Sequence, residues 1–186
     1  MRNTRFISIA LIILLLSKLL SGAVVWGARY PAPSPDGKKI TLSYYGDIWT
    51  VSTDGGRADR LTVSDGFESK SSWSPDGKWI AFMTDRWGND EICIMPPDGS
   101  APPKRLTYYS LSDVLFGWTP DSKYVLYGTN EHTLTRVLYR VSINCGLPQM
   151  VTNFRADEVC FLPEGNGFYY TRGGAEWWRR RYKGGA

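Results

Sequence analysis

Residues 71–85 read SSWSPDGKWIAFMTD, in which a Ser-Pro-Asp-Gly turn directly precedes a run of large apolar residues. The same arrangement recurs along the chain, each time before a segment with the composition of a β-strand. The four copies are Ser34-Pro35-Asp36-Gly37, Ser74-Pro75-Asp76-Gly77, Thr119-Pro120-Asp121-Ser122 and the weaker Leu162-Pro163-Glu164-Gly165. One such turn says little about a fold, whereas copies spaced by 40, 45 and 43 residues form a repeat.

Other elements recur with the same period. A second apolar segment follows each turn, as DIWTV at 47–51, EICIM at 91–95 and VLYRV at 137–141. A short RLT element closes each unit at 60–62 and 105–107, with MVT at 150–152. A period in the forties with several strands per unit is typical of a β-propeller blade. The absence of sustained helical periodicity agrees with an all-β chain.

The repeat divides the chain into units of about one blade each. The complete units are 30–62, 63–107 and 108–152, and a fourth runs from 153 to 186 without its last two strands. We therefore predict an all-β propeller domain over 24–186. It has blades of four antiparallel strands, of which three are complete and one is partial, in an open array. The segment KWIAFMT is apolar at nearly every position, so we expect both of its faces to be covered.

The first 23 residues have the composition of a signal peptide. Arg2 and Arg5 precede an apolar run, and Ser21-Gly22-Ala23 supplies the small residues that a cleavage site requires. The alternative is an uncleaved membrane anchor, which is less favoured because Lys18 interrupts the apolar stretch. The sequence thus predicts an exported protein, periplasmic or extracellular, that meets a membrane only through an uncleaved leader.

The acids of the repeated turns have two interpretations. Asp36, Asp76 and Asp121 would be a carboxylate site if they converged on a cation, and calcium needs six or more oxygens around one point. With one acid in each blade, they are expected to be spread around a ring. We therefore interpret them as turn residues, with proline fixing φ and glycine or serine closing the turn.

The three cysteines, Cys93, Cys145 and Cys160, show no C-x-x-C spacing that would indicate a zinc or redox site. Cys93 and Cys160 lie in apolar, strand-like segments and are expected to be buried and inert. Export would permit a disulfide, but the sequence does not pair the cysteines.

The charge pattern gives weak support to nucleic-acid binding, because the net charge is only +4 and both signs are mixed. One basic run, Arg179 to Lys183, follows Trp177 and Trp178. It could contact an acidic groove, nucleic acid or anionic lipid. The favoured interpretation is a blade segment whose arginines stack on tryptophans and pair with acids of other blades.

Several stretches together resemble the opening blades of tricorn-type serine peptidases. They are GDIWTVSTDGGRADRLT at 46–62, FESK to KRLTYY at 67–109, FGWTPDSKYVLYGTN at 116–130 and RRYKGG at 180–185. The resemblance implies the first, six-bladed propeller of such an enzyme, which channels peptides for catalytic domains carrying a serine nucleophile. It also implies assembly into oligomers. The turn and RLT elements alone would equally fit TolB-like propellers.

No catalytic, cofactor-binding or metal-binding residue is predicted in this chain. The single histidine, His132, lies in a polar loop, and no G-x-S-x-G element accompanies it. The adjacent acids Asp90-Glu91 and Asp157-Glu158 would point to opposite faces of a strand. Two hypotheses remain: the non-catalytic entrance of an exported tricorn-like peptidase, or a stand-alone TolB-like periplasmic module. Both bind peptides or proteins rather than nucleic acid.

Overall fold

A computed structural model of the chain describes residues 26–130, 136–162, 165 and 167–171. These residues form three four-stranded antiparallel sheets and one two-stranded sheet, with no helix in the described ranges. Blade 1 contains β1 (Arg29–Pro33), β2 (Lys39–Tyr44), β3 (Asp47–Ser52) and β4 (Asp59–Arg60). Blade 2 contains β5 (Glu68–Trp73), β6 (Ile80–Thr84), β7 (Glu91–Met95) and β8 (Lys104–Arg105). Blade 3 contains β9 (Val114–Trp118), β10 (Tyr124–Thr129), β11 (Val137–Ser142) and β12 (Gln149–Arg155).

A partial sheet follows blade 3, made of β13 (Glu158–Phe161) and β14 (Phe168–Thr171). Within each blade the strands lie side by side in chain order, as in a meander. The prediction of an all-β propeller, with three complete blades and a partial one in an open array, is confirmed. The predicted leader at 1–23 lies outside the described residues. Within the described part of the chain, no helix combines the length and apolarity needed to cross a bilayer.

The repeated turns are held by a side-chain pair that the sequence prediction did not include. In blade 1 the hydroxyl of Ser34 donates to Asp36 Oδ1 at 2.6 Å and accepts from the Lys39 amide at 2.9 Å. The backbone closes with a 2.9 Å bond from Gly37 N to Ser34 O, and Gly37 has a φ of +69°. Blade 2 repeats these bonds from Ser74, and blade 3 repeats them from Thr119. The hydroxyl residue that opens each of these three turns therefore holds the turn together with the proline and the closing residue.

The threonine of the RLT element also has a defined role. Thr62 Oγ1 accepts a 2.9 Å hydrogen bond from the amide of Ile48, and Thr107 Oγ1 accepts one of 2.9 Å from Ile92. In blade 3, Thr152 Oγ1 accepts from Leu138 at 3.1 Å. Each hydroxyl thus satisfies a buried amide of the third strand, in blades 1 and 2 just after the short fourth strand has ended and in blade 3 at the register shift within β12.

The core lies between the blades, and each strand pair contributes to two interfaces because its side chains alternate. All of β6 is buried, which confirms that both faces of this segment are covered. One face of blade 2 packs with Ile48 of blade 1 through Ile80, Phe82, Cys93 and Met95. The other packs against blade 3 through Ala81, Met83, Ile92 and Ile94. The alternation thus joins the blades into one continuous array.

The expectation that Cys160 is buried is wrong. Cys93 is buried between blades 1 and 2, whereas Cys145 and Cys160 are exposed. Val159 and Phe161 pack against blade 3, so the alternating position Cys160 points to the other face of the two-stranded sheet. No described residues cover that face. An apolar segment of this length predicts a strand but not how many of its faces are buried.

Candidate functional site

The first strand of each blade lies nearest to the centre of the array. Strand β1 packs along β5, β5 packs on β9, and β9 packs on β13. Each of the three complete blades has an irregularity where this first strand pairs with its neighbour. The pairing shifts between Arg29 and Ala32 in β1, between Ser69 and Ser72 in β5, and opposite Leu126 and Tyr127 in β9. Bulges of this kind redirect side chains and are frequent beside binding sites.

Two bulge residues have backbone conformations that side chains rarely adopt. Tyr30 has a φ of +52° and Lys70 a φ of +49°, and both stand four positions before the serine that opens the turn of their blade. A left-handed conformation at a residue with a side chain costs about 1–2 kcal/mol. The same strained position is therefore used in two consecutive blades to present a phenol and an ammonium group.

These bulges form a pocket on the axial side of the array, which we call the axial pocket. It has a volume of about 300 Å³. The Nζ atom of Lys70 lies 6.0 Å from the centre of the Tyr30 ring, at the outer limit of a cation–π contact. The lining residues are Tyr30, Pro31, Lys70, Ser71, Ser72, Leu115 and Phe116. The axial pocket thus combines one ammonium group with apolar walls.

A second pocket shares Tyr30 with the first, and we call it the aromatic pocket. Its volume is about 400 Å³, and four of its lining residues are aromatic: Tyr30, Tyr44, Tyr45 and Phe67. The rings of Tyr44 and Tyr45 meet edge to face with centroids 4.5 Å apart. Tyr45 is 86% exposed and Phe67 is 52% exposed, so a ligand can reach both rings.

The position of Tyr45 results from a tight hairpin. Tyr44 pairs with Asp47, which leaves Tyr45 and Gly46 as a two-residue loop with φ angles of +49° and +84°. Asn-Gly or Asp-Gly is preferred in such loops because both positions need positive φ. A tyrosine here is strained and exposed, and it contributes little to the core. Backbone strain of this kind is concentrated at functional sites.

Phe67 is held by contacts along the connection from blade 1 to blade 2. The Glu68 amide donates to Gly46 O at 2.8 Å, and the Phe67 amide donates to Asp85 Oδ1. The buried carboxylate of Glu68 forms an ion pair with Arg86. These contacts hold the backbone of Phe67 beside the β2–β3 hairpin, where its half-exposed ring lies next to Gly46.

The electrostatics of the two pockets differ from those of the surrounding strands. Four arginines elsewhere in the blades are paired with acids: Arg60 with Asp47, Arg86 with Glu68, Arg105 with Glu91 and Arg155 with Asp157. By contrast, Arg29 and Lys70 form no ion pair with any described residue. Burial, followed by the charge of Asp85, raises the pKa of Asp90, while the charge of Lys70 opposes that rise. Within the described ranges, no acid thus forms an ion pair with either of the two cationic groups of the pockets.

Comparison with known proteins places the fold in a family. Residues 28–186 match the family described as the tricorn protease N-terminal beta propeller domain. The chain belongs to this tricorn propeller family. Tricorn protease homolog 1 of Streptomyces coelicolor is 33% identical over 98 residues, which are 52% of this chain and 9% of that protein. Putative tricorn protease homolog 2 of the same organism is 36% identical over 90 residues, which are 47% of this chain and 8% of that protein.

Solved structures agree with the family. The putative TolB from Agrobacterium tumefaciens has a TM-score of 0.66 and 23% identity, over 77% of this chain and 53% of that one. The tricorn protease has a TM-score of 0.65 and 19% identity, over 74% of this chain and 14% of that one. At these identities the likeness establishes the fold. The chain spans less than a tenth of the length of the two Streptomyces relatives.

In this tricorn-family propeller, the turn acids lie at a different place from the two pockets. Asp36 and Asp76 line a groove of about 570 Å³ between blades 1 and 2, together with Asp98. Hydrogen bonds from Ser34 and Ser74 are the largest cause of the lowered pKa values of Asp36 and Asp76. Among the described residues, no group of three or more acids, histidines or cysteines is arranged to hold a metal ion.

The other residues considered from the sequence are separated. Glu91 pairs with Arg105, and Asp157 pairs with Arg155, so these acids have structural partners. His132 and the basic run 179–183 with its two tryptophans lie outside the described residues.

The sequence prediction did not identify Tyr30, Tyr45, Phe67 or Lys70. One signal was present for Tyr45, because Tyr-Gly between two strand-like segments is an unusual two-residue hairpin loop. No comparable signal marks the others. Their proximity depends on bulges and on the packing of blade 1 against blade 2, which residue spacing does not specify.

Proposed function

We propose that this tricorn-family propeller is a non-catalytic module that binds peptides and guides them to or from the catalytic part of an exported serine peptidase. The observation that carries the proposal is the pair of pockets around Tyr30. Tyr30 and Lys70 lie on strained backbone of the inner strands β1 and β5, the exposed ring of Tyr45 lies on the strained β2–β3 hairpin, and neither Lys70 nor Arg29 has an ion pair among the described residues. The family match supports the tricorn context, and the catalytic partner and the gating role are part of the proposal.

The pockets suit an extended peptide for two physical reasons. Flat, fixed rings such as those of Tyr45 and Phe67 supply contact area at low entropic cost, which is why aromatic residues are enriched at binding surfaces. A side chain placed against these rings would be desolvated on one side only. The expected affinity is therefore modest, as a module that passes peptides on requires.

Binding can be tested with the chain as it stands. A fluorescein-labelled peptide mixture from a casein digest would be titrated with the protein and followed by fluorescence polarisation. Phe67→Ala and Tyr45→Asn should each weaken binding about tenfold, the loss of one aromatic contact of ~1.4 kcal/mol. Asparagine is chosen at position 45 because it tolerates positive φ.

The control for these variants is Leu147→Ala. Leu147 is 87% exposed, and it lies in the turn between β11 and β12, away from both pockets. Its loss should leave binding unchanged. Equal affinities for all four proteins would contradict the assignment of the site.

The non-catalytic part of the proposal has its own assay. The purified chain should not release peptides from casein, and a serine-directed inhibitor should have no effect on the background. Turnover that the inhibitor abolishes would show that this chain carries catalytic machinery.

The export part of the proposal can be tested at the N-terminus. Cleavage after Ala23 during export should give a mature protein that begins at Val24.

A second candidate is a stand-alone TolB-like module that binds envelope proteins. It is favoured by the fold likeness to the putative TolB of A. tumefaciens, of which this chain covers 53%. The genomic sequence after codon 186 distinguishes the two candidates. A PDZ segment followed by a serine-peptidase core supports the first, whereas two further blades and a stop codon support the second.

A further inference from the structure

The two pockets contain a charge pattern that peptide binding in general does not explain. Arg29 lines the aromatic pocket and Lys70 lines the axial pocket, on either side of the shared residue Tyr30. Neither cation forms an ion pair with a described residue. The half-buried ammonium group of Lys70 lies in the field of Asp90 but makes no ion-pair contact among the described residues, so its lost hydration is compensated only in part.

We infer that the site recognises a peptide carboxylate through Lys70, with an adjacent ring-bearing side chain seated against Tyr45 and Phe67. This inference rests on the proposed peptide-binding function and specifies its ligand. The shared chemistry is a carboxylate, whether it belongs to a Glu or Asp side chain or to a peptide C-terminus.

The geometry around Lys70 supports a carboxylate rather than a neutral group. Its side chain is half-buried in the pocket beside Leu115 and Tyr30, which limits the positions that the ammonium group can reach. An ammonium group offers three donors, and Ser72 adds a hydroxyl to the same pocket. Hydrogen bonds to charged groups are stronger than those between neutral groups, so a carboxylate gains more here than an amide of the same shape.

Two neighbouring acids should weaken the binding of a carboxylate at this site. The charge of Lys70 lowers the pKa of the Asp90 carboxyl, and the charge of Asp85 raises it. Both acids repel a ligand carboxylate, and Asp90 also competes with it for the field of Lys70. Removing the charge of Asp90 should therefore strengthen the binding of an acidic peptide and leave a neutral peptide unaffected. A ligand held by its ring alone would not respond in this way.

The test uses two blocked peptides that differ by one group, acetyl-Gly-Phe-Glu-Gly-amide and acetyl-Gly-Phe-Gln-Gly-amide, each labelled with fluorescein on an added lysine. The Glu peptide should bind about tenfold more tightly than the Gln peptide at low ionic strength. A Gln peptide with a free C-terminus shows whether a terminal carboxylate can replace the side chain. Either carboxylate supports the inference, and the comparison identifies the source.

Variants of the protein complete the design. Lys70→Gln should give the Glu peptide and the Gln peptide about equal affinities, whereas Asp90→Asn should increase the preference for the Glu peptide. Lys78→Gln is the matched control, because Lys78 is an exposed lysine of a repeated turn and lies outside both pockets. It removes the same charge from the protein, so it corrects for long-range electrostatic effects.

The outcomes separate this inference from the function on which it rests. Equal binding of Glu and Gln peptides that still depends on Phe67 would overturn carboxylate recognition and leave peptide binding intact. A preference that Lys70→Gln and Lys78→Gln reduce equally would also overturn it. If neither peptide binds and the casein digest does not bind either, both the function and the inference fail.

Discussion

Arg105 forms an ion pair with Glu91 across two neighbouring strands, and the same relationship recurs one blade earlier. The ladder places Glu91 diagonally opposite Arg105, and it places Asp47 diagonally opposite Arg60. Diagonal neighbours on one face of a sheet are close enough for long side chains to meet. The arginine of each RLT element therefore neutralises the acid that begins the third strand.

Loss of the arginine should be costlier in blade 2 than in blade 1. Glu91 is 1% exposed and Arg105 is 23% exposed, whereas Arg60 is 41% exposed. Arg105→Met should lower the free energy of unfolding by about 3 kcal/mol because it leaves a buried carboxylate unpaired. Arg60→Met should cost less, about 2 kcal/mol, because Asp47 is also buried, at 6% exposed, but the more exposed Arg60 side chain leaves one side of this pair open to water.

Urea unfolding measures both values. Adding Glu91→Gln to Arg105→Met should recover part of the loss, because the double variant contains no unpaired buried charge. Equal losses for the two single variants would contradict the role assigned to burial.

The hydroxyl of Thr62 is expected to contribute more to the free energy of unfolding than the methyl group of the same side chain. Thr62→Val keeps the shape of the side chain but leaves the Ile48 amide without its 2.9 Å acceptor. We expect a loss of about 1–3 kcal/mol in stability. Amide exchange of Ile48, followed by NMR, should accelerate. Thr53→Val at an exposed position is the control and should change neither quantity.

Because of the repeated turns, the free energy of unfolding should decrease at acidic pH. Hydrogen bonding from Thr119 is the largest cause that lowers the pKa of Asp121 below its ordinary value of 3.8. Because the folded pKa is the lower one, the unfolded state binds protons first as the pH falls. The stabilisation is fully present well above pH 3.8, and it is lost as the pH drops through the pKa that Asp121 has in the folded state.

Thr119→Val removes the hydroxyl and should raise the pKa of Asp121, whereas Thr119→Ser should keep it low. The carboxyl carbon shift of Asp121, recorded by NMR from pH 6 to about 2, reports both. An identical titration in the two variants would show that the hydroxyl does not set the pKa.

The cysteines should separate into two classes of reactivity. Burial raises the pKa of the Cys93 thiol to about 12, while Cys145 and Cys160 are exposed. Because the thiolate is the reactive form, iodoacetamide at neutral pH should label only the latter two in the folded chain. Mass spectrometry after proteolysis identifies the sites, and denaturant should expose Cys93. Labelling of Cys93 without denaturant would mean that blades 1 and 2 separate.

Glycine should be required at position 66, because the connection between blades 1 and 2 passes close to Arg86 there. A Cβ atom at this position would lie 2.8 Å from Arg86 Cγ and 3.0 Å from both Arg86 Cα and N. Gly66→Ala should therefore cost about 1–3 kcal/mol and should also disturb the neighbouring Phe67. Thermal unfolding measures the first effect and peptide affinity the second.

Gly37→Ala provides the comparison for Gly66→Ala. It strains the backbone because the φ of Gly37 is +69°, but its Cβ meets no atom within 4 Å. Peptide affinity should remain normal in that variant. If affinity falls equally in both, the effect on Phe67 is not local.

The repeat made the blades predictable because its information is local. Proline and glycine at fixed offsets specify turns, and strand segments that are apolar at nearly every position, such as KWIAFMT, indicate strands with two covered faces. The interpretation of Asp36, Asp76 and Asp121 as turn acids followed from the same local rules. The serine or threonine that opens each turn was visible in the sequence, but its bond to the aspartate was not.

Tertiary structure decided the rest, because the pockets arise where separate blades meet. A bulge in β1 and another in β5 turn Tyr30 and Lys70 toward one another, although the residues are 40 positions apart. Phe67 reaches the β2–β3 hairpin only after blade 2 has packed on blade 1. The sequence by itself determined which segments become strands and turns. Register shifts and blade packing determined which side chains share a pocket, since both depend on contacts between distant parts of the chain.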